Sequence, residues 1–318
     1  MLKIIDSFPT KRIAVIGDVM LDRYVYGKVR RISPEAPVSV LDVTETNEAL
    51  GGAANVAANI AALGAQCDLV GVVGGDAAGV RVHQLMQEGV MCHLVTDSTR
   101  PTTVKERMVA EMHNTHLLRC DTESTEPISD KTEFCVRNEI INRVRHADAV
   151  IIADYAKGVI TPLTLQTIFG EAKNKIVVTN PRGSESNRYF GTTYFCLNLG
   201  ELEKLTRLSP LRGEVDISRA VAELRSRTCC KGAIVTQGDE GLTVVGKNGA
   251  TLGFVADAKR VVDVSGAGDS VIAAATLALA SAEDIYSAGS IGNWAGGIAV
   301  GKAGTSRVGL AELRTKAL

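Results

Sequence analysis

Hydrophobic residues fall along this chain in distinct rhythms. Short apolar runs rich in β-branched residues occur at 12–17, 67–74, 149–153, 175–179, 194–197 and 232–236. They are too short for helices, and unbroken apolarity is the pattern of strands buried on both faces. Between them apolar positions recur every three to four residues. This spacing predicts helices over 76–88, 129–146, 161–174, 215–227, 267–281 and roughly 283–302, and another after 198–201. In the segment from Gly51 to Gly64, Ala53, Val56, Ile60 and Leu63 share one helical face, with Gly51-Gly52 opening the helix and Gly64 stopping it. Strands alternating with helices argue for an α/β fold, a mostly parallel sheet covered by helices on both faces.

Residues 23–46 follow a different rhythm. Polar and apolar side chains alternate there, as in half-exposed antiparallel strands, and the two halves flank a polar loop, Arg30 to Pro37, stiffened by two prolines. A second such pair covers 102–110 and 117–120 and carries Lys105, Arg107 and Arg119. Together they predict a small β lid inserted at about 18–46 and 101–121, with an exposed face through which two subunits can pair as a homodimer. Residues 242–246 and 250–255 read as one further strand pair. With no linker-like run and no internal repeat, 1–318 reads as a single domain with a lid.

Composition narrows the classes. The formal net charge of −1 gives no basic face for nucleic acid, and 45% hydrophobic with 22% charged residues suits a folded soluble chain. The apolar run near the start breaks at Asp18. The alanine-rich tail is interrupted by Glu283, Asp284 and Lys302, so a buried helix pair is expected there and not a membrane hairpin. Seven cysteines without a CxxC spacing read as buried thiols of a reducing cytoplasm, not as zinc ligands.

The candidate chemistry collects at strand ends. Residues 258–262 read as a strand end, followed by Asp263-Val-Ser-Gly266-Ala267-Gly268-Asp269 and a helix. A glycine-rich turn into a helix N-terminus aims backbone N–H groups at an anion. Asp269 is then either a base beside a phosphate or an ordinary first-turn carboxylate. Asp18 and Asp22 follow the first strand and are candidate hydroxyl acceptors, Asp22 also reading as a solvated turn residue. Gly51 and Gly52 let backbone approach a ligand, with Asn55 one turn into their helix. Asp154-Tyr-Ala-Lys157-Gly158, Asn180-Pro-Arg182, Asn198-Leu199-Gly200-Glu201 and Thr236-x-Gly238 follow later strands. The stretch 296–303 is nearly a P-loop but lacks the closing Ser or Thr and lies in a helical run. No G-x-G-x-x-G follows the first strand, which argues against a nicotinamide-binding domain.

These motifs, in this order, resemble the ribokinase-like (PfkB) carbohydrate kinases. Segments 17–24, 31–37, 50–56 and 154–158 look most like those acting on D-glycero-D-manno-heptose 7-phosphate at O1, in ADP-heptose and lipopolysaccharide core synthesis. The resemblance implies a ribokinase-like fold, ATP and Mg²⁺ as cofactors, and Asp269 as the base. It implies Gly266, Ala267 and Gly268 as donors to the transferring phosphoryl group. Asn198 and Glu201 would organise magnesium, Glu201 through water. Thr236 and Gly238 would contact phosphates and Asn293 the adenine, while Asp18, Gly51, Gly52 and Asn55 would bind sugar hydroxyls. For the sugar's own phosphate the candidates are Arg31, Lys105, Arg107 and Lys157. Some relatives carry a nucleotidyltransferase domain, for which these residues leave no room. Heptose kinases usually read Asp-Pro-Lys where this chain has Asn180-Pro181-Arg182, and Thr-Pro-Asn where it has Cys196-Leu197-Asn198. A kinase for another sugar and a catalytically silent sugar- or nucleotide-binding protein remain the alternatives.

Overall fold

Along the first central strand, Ile13 and Val15 point to one side of the sheet while Ala14 and Ile16 point to the other, and the core divides accordingly into two apolar layers. The computed structural model describes residues 1–318 apart from Lys259 and Ala303, with His113 described through its backbone alone. In chain order its elements are α1 (Leu2–Asp6), β1 (Arg12–Gly17), β2 (Val19–Ile32), β3 (Ser39–Gly52), α2 (Ala53–Ala62), β4 (Gln66–Val73), α3 (Ala77–Leu85), β5 (Val90–Thr96), β6 (Thr103–Ala110), β7 (Thr115–Thr122), α4 (Asp130–Val144) and β8 (Ala149–Ala153). There follow α5 (Pro162–Glu171), β9 (Ile176–Asn180), β10 (Tyr194–Asn198), α6 (Leu199–Thr206), α7 (Gly213–Thr228), β11 (Gly232–Thr236), β12 (Leu242–Val245), β13 (Thr251–Phe254), α8 (Ala267–Ala282), α9 (Ile285–Ala299) and α10 (Leu310–Ala317).

The large sheet has the order β13-β12-β11-β10-β9-β8-β1-β4-β5, parallel except for β12 and β13. One layer packs α2, α8 and α9 on it, where alanines bring helix and sheet close together; the other packs α4, α5 and α7. A separate sheet, β3-β2-β6-β7, stands beyond the carboxyl end of β1. Because the chain runs from β1 to β4 on one side and later returns to β8 on the other, the strand order reverses at β1/β8. Ligands of open α/β sheets bind outside such a point.

Some expectations need correcting. β5, α1 and α10 were not foreseen. The described residues of 258–262 join no strand, and Lys259 lies outside the described residues. Cys67, Cys196 and Cys230 are buried, but Cys120, Cys135 and Cys229 are exposed. The near-P-loop begins within α9, and its Ala303 lies outside the described residues. No helix among the described residues is long and apolar enough to cross a membrane.

Candidate active site

A cleft of about 530 Å³ opens between the carboxyl ends of the parallel strands and the small sheet. One wall comes from β2 with Asp22, and the others from strand ends: Tyr155 and Lys157 after β8, Asn180 ending β9 with Arg182 beyond it, Asn198 ending β10 with Glu201 beyond it, and Thr236 ending β11. The turn before α8 closes the circle with Gly266, Gly268 and Asp269.

Asp269 sits in the first turn of α8, and both its oxygens are held. Asn55 Nδ2 donates to Oδ2 at 2.7 Å and the Tyr155 hydroxyl donates to Oδ1 at 2.5 Å. Gly266 makes this possible. Its φ is +77°, and a Cβ there would fall 2.8 Å from Asn55 Nδ2. Burial pushes the Asp269 carboxyl up, to about 6, against the pull of the Tyr155 and Asn55 hydrogen bonds; Asp22 adds to the push and Arg182 opposes it. Asn55 is buried and spends its amide on Asp269. Ala267 N–H turns back to Val264 O at 3.3 Å. The helix end at Gly268 and Asp269 faces the cleft, with the positive end of the α8 dipole towards it.

Across the cleft lies a charged cluster. Asp22, a candidate hydroxyl acceptor whose other reading was a solvated turn residue, is buried within β2, lines the cleft and accepts from Arg107 Nη1 at 2.5 Å. Gly51 leaves space for it, since a Cβ there would meet Asp22 Oδ2 at 2.5 Å. The Arg107 guanidinium also covers the Tyr24 ring, 5.0 Å from its centroid. Lys105 Nζ pairs with Asp121 at 3.0 Å and Glu123 at 3.2 Å, and Lys157 Nζ pairs with Glu123 at 2.7 Å. Arg119, noted on its strand but not singled out, also lines the cleft. Strand register brings it there: β6–β7 pairing sets Arg119 directly opposite Arg107.

Two assigned sugar contacts lie elsewhere. Asp18 is buried outside the cleft wall, its oxygens taken by the N–H groups of Tyr155, Lys157 and Val159 at 2.8–3.1 Å. It fastens the loop after β8 and leaves no free face for a sugar. Arg31 is exposed near the far end of β2, opposite Val40, away from the cleft lining. Gly52 does line the cleft.

On the remaining wall, Asn198 and Glu201 cap α6 reciprocally: Asn198 Oδ1 accepts Glu201 N–H at 2.9 Å and Glu201 Oε2 accepts Asn198 N–H at 2.7 Å. Leu199 and Gly200 form the first turn between them. The two departures converge on the same carboxylate. Asn180 Nδ2 donates to Cys196 O at 3.0 Å and to Glu201 Oε2 at 3.4 Å, and Arg182 Nε stands 3.1 Å from Glu201 Oε1. That Oε1 is buried and has no hydrogen bond. Among the described residues no group of three or more His, Cys, Asp or Glu is placed to cage a metal. One buried carboxylate oxygen fits a hydrated magnesium held mainly by nucleotide phosphates. Thr236 lines the cleft; Gly238 is exposed just past it. Asn293, on α9, donates to Val255 O at 2.8 Å, outside the cleft lining.

The comparisons agree with this geometry. Residues 10–311 match the pfkB family carbohydrate kinases. The bifunctional protein HldE of Bradyrhizobium diazoefficiens is 41% identical over 97% of this chain, and that of Nitrobacter hamburgensis is 39% identical over 98%. The chain spans 63–65% of the length of these two relatives. Escherichia coli phosphofructokinase-2 in complex with fructose-6-phosphate superposes with a TM-score of 0.79 at 20% identity, covering 96% of this chain and 97% of that one. Arabidopsis thaliana ribokinase complexed with ribose and ATP gives 0.73, also at 20%, covering 96% and 98%. At that identity the likeness shows the ribokinase-like fold. With the anion turn and its carboxylate standing where the strand order reverses, and the family match running almost end to end, the chain belongs to the pfkB carbohydrate kinases, which transfer a phosphoryl group, ATP being the donor, to a sugar hydroxyl.

Proposed function

We propose that this kinase phosphorylates O1 of D-glycero-D-manno-heptose 7-phosphate to the 1,7-bisphosphate, in the cytoplasmic supply of ADP-heptose for lipopolysaccharide. The observation that carries the reading is the Arg107–Arg119 cross-strand pair, with Lys105 and Lys157 beside it. Like charges directly opposite each other on a sheet are destabilising. Four cations on one cleft wall, against the three carboxylates Asp22, Asp121 and Glu123, suit an acceptor that brings a second anionic group. The segments resembling heptose kinases also supply Asp22, Asn55, Tyr155 and Lys157 to this cleft or to its base.

In this reading Asp269 takes the proton from the O1 hydroxyl. O1 bonds to the γ-phosphorus, the bond from that phosphorus to the β–γ bridging oxygen breaks, and ADP leaves with its electron pair. The Gly266–Gly268 turn and the α8 dipole face the charge carried by the transferring group. Magnesium, bound with the nucleotide near Asn198 and Glu201, would neutralise phosphate charge. The β3-β2-β6-β7 sheet acts as the lid. Val29, Ile32, Val38, Val43 and Leu118 are exposed on it, an apolar surface suited to pairing two copies as a homodimer.

The test is coupled ADP release with heptose 7-phosphate, the free heptose, fructose 6-phosphate, fructose and ribose. Heptose 7-phosphate is expected to have the highest kcat/KM by at least about tenfold, a difference of roughly 1.4 kcal/mol. Equal efficiency on ribose or fructose would overturn the assignment. Turnover by none of the five would favour a silent binding protein.

A further inference from the structure

Tyr155 lies in the 154–158 segment, but neither its residue type nor the resemblance gives it a role, and it touches the group on which the reaction depends. It stands in the loop after β8, which is fixed independently of any ligand. Asp18 accepts the N–H groups of residues 155, 157 and 159, and Asp154 accepts the Tyr189 hydroxyl at 2.7 Å and the Ala156 N–H at 2.9 Å. A stiff aromatic side chain on a pinned backbone delivers its hydroxyl to Asp269 Oδ1. The opposite oxygen is held by Asn55, whose orientation is decided one turn along α2. Asn59 Nδ2 donates to Asn55 Oδ1 at 3.3 Å, so Asn55 must present Nδ2 to Asp269. Asn59 is fixed in turn, its Oδ1 accepting from Ser270 Oγ at 3.0 Å and Val308 N–H at 3.2 Å. A carboxylate free to rotate about its last bond is thereby clamped at both ends.

We propose that Tyr155 is a positioning residue for the Asp269 base: its hydroxyl, opposed by the Asn55 amide, sets the carboxylate plane so that an outer lone pair meets the acceptor hydroxyl. As a donor to the charged form it also favours the ionised carboxylate. The proposal rests on the reading of Asp269 as the base. The groups facing Asp269 come from five elements: Tyr155 from the loop after β8, Asn55 from α2, Asp22 from β2, Arg182 from the segment after β9 and the buried, protonated Cys196 thiol from β10. Arg182 also lies over the Tyr155 ring at 5.5 Å and contacts Glu201, so the ring is held from above by a residue of the expected nucleotide side. Burial, Asp269 and Glu201 push the Tyr155 phenol well up, outweighing Arg182; it stays protonated and acts as a donor, not as an acid.

Two variants of the full chain test this with ATP and heptose 7-phosphate. Tyr155→Phe keeps the ring and removes the donor. Its kcat is expected to fall roughly 10- to 100-fold, the range for a hydrogen bond to a charged group, with both KM values within about twofold. The acid limb of its kcat/KM profile should move to higher pH, since a group favouring the ionised carboxylate is gone. A ring-fluorinated tyrosine installed at 155 keeps the hydroxyl and makes it a stronger donor; its acid limb should move to lower pH. Opposite displacements are not produced by a residue that merely packs, and the fluorinated protein remains informative if Phe impairs folding. Unmoved acid limbs in both, with Asp269→Asn inactive, would overturn the role of Tyr155 alone. Native turnover by Asp269→Asn would instead sink the base reading, and this proposal with it.

Discussion

The two ends of the cleft treat charge in opposite ways. At the turn, Asp269 has two neutral hydrogen-bond donors, Asn55 and Tyr155, and burial lifts it to about 6. At the lid, charges neutralise one another. Although burial pushes them up, Lys105 and Arg119 hold Asp121 below its ordinary value, and Lys157 and Lys105 do the same for Glu123. Neutral donors around a desolvated carboxylate leave it able to change protonation near working pH, which a proton acceptor requires. Ion pairs around a carboxylate fix it in the charged state, which suits a surface that exchanges one anion for another. Base and binding surface are thus distinguished by partners and not by residue type.

The contrast breaks most sharply at Asp269. Asp269→Asn should lower kcat on the order of 10²–10⁴-fold, read by ADP release, while nucleotide binding survives. Turnover near that of the unaltered enzyme would leave the turn as a mere anion site. At the lid, Arg107→Ala removes the partner of buried Asp22. It should raise the sugar-phosphate KM by roughly 10- to 100-fold, with the ATP KM unchanged. A fall in kcat at constant KM would place Arg107 with the chemistry instead. Smaller again is the pH effect in the unaltered enzyme. Because Asp269 is lifted to about 6 and acts ionised, kcat/KM should be level above that pH and fall about tenfold per unit below it. A level profile down to pH 5 would mean that Asp269 ionises at its ordinary value.

The sequence exposes these two ends unequally. β1, β8 and β11 are apolar runs flanked by polar residues, and their expected bounds are those observed. β5 escapes because half-exposed Cys92, His93 and Leu94 show neither an apolar run nor strict alternation. Asp269 and Asn55 are legible through motifs, since a phosphate turn needs its glycines in a fixed order. Asp18 and Asp22 are four residues apart and chemically identical. Only the crossing from β1 into β2 decides that the first turns back onto the loop after β8 while the second faces the cleft. Sequence reasoning therefore offered both to the sugar, and only Asp22 lines the cleft. The lid cations required strand register: Arg107 and Arg119 become neighbours only once β6 and β7 pair residue by residue. Arg31 shows the converse, a cation whose motif pointed to the ligand while its strand carries it away.

The smallest expected effect is on stability, and it has opposite signs at the two ends. Asp269 is lifted from 3.8 to about 6 in the fold. Below pH 4 it is protonated in both folded and unfolded chains and contributes nothing. Between about 4 and 6 the unfolded chain gives up this proton first, so the group lowers stability progressively as pH rises, and above 6 the cost is constant. Asp269→Asn removes that cost, although an amide offers its one oxygen to two donors. The net gain at pH 7.5 should be about 1–2 kcal/mol, a few degrees in Tm, and should diminish steadily as pH falls towards 4. Asp121 is held below its ordinary value, so its contribution is present at neutral pH and disappears as pH falls through its folded value. Asp121→Asn should therefore lower Tm at pH 7.5, by less than about 1 kcal/mol for an ion pair near the surface, and that deficit should close in acid. Calorimetric scans of the three proteins from pH 4 to 8 measure both differences against the same unaltered chain. Two variants displaced in the same direction at neutral pH would mean that burial and pairing do not divide the cleft as its geometry indicates.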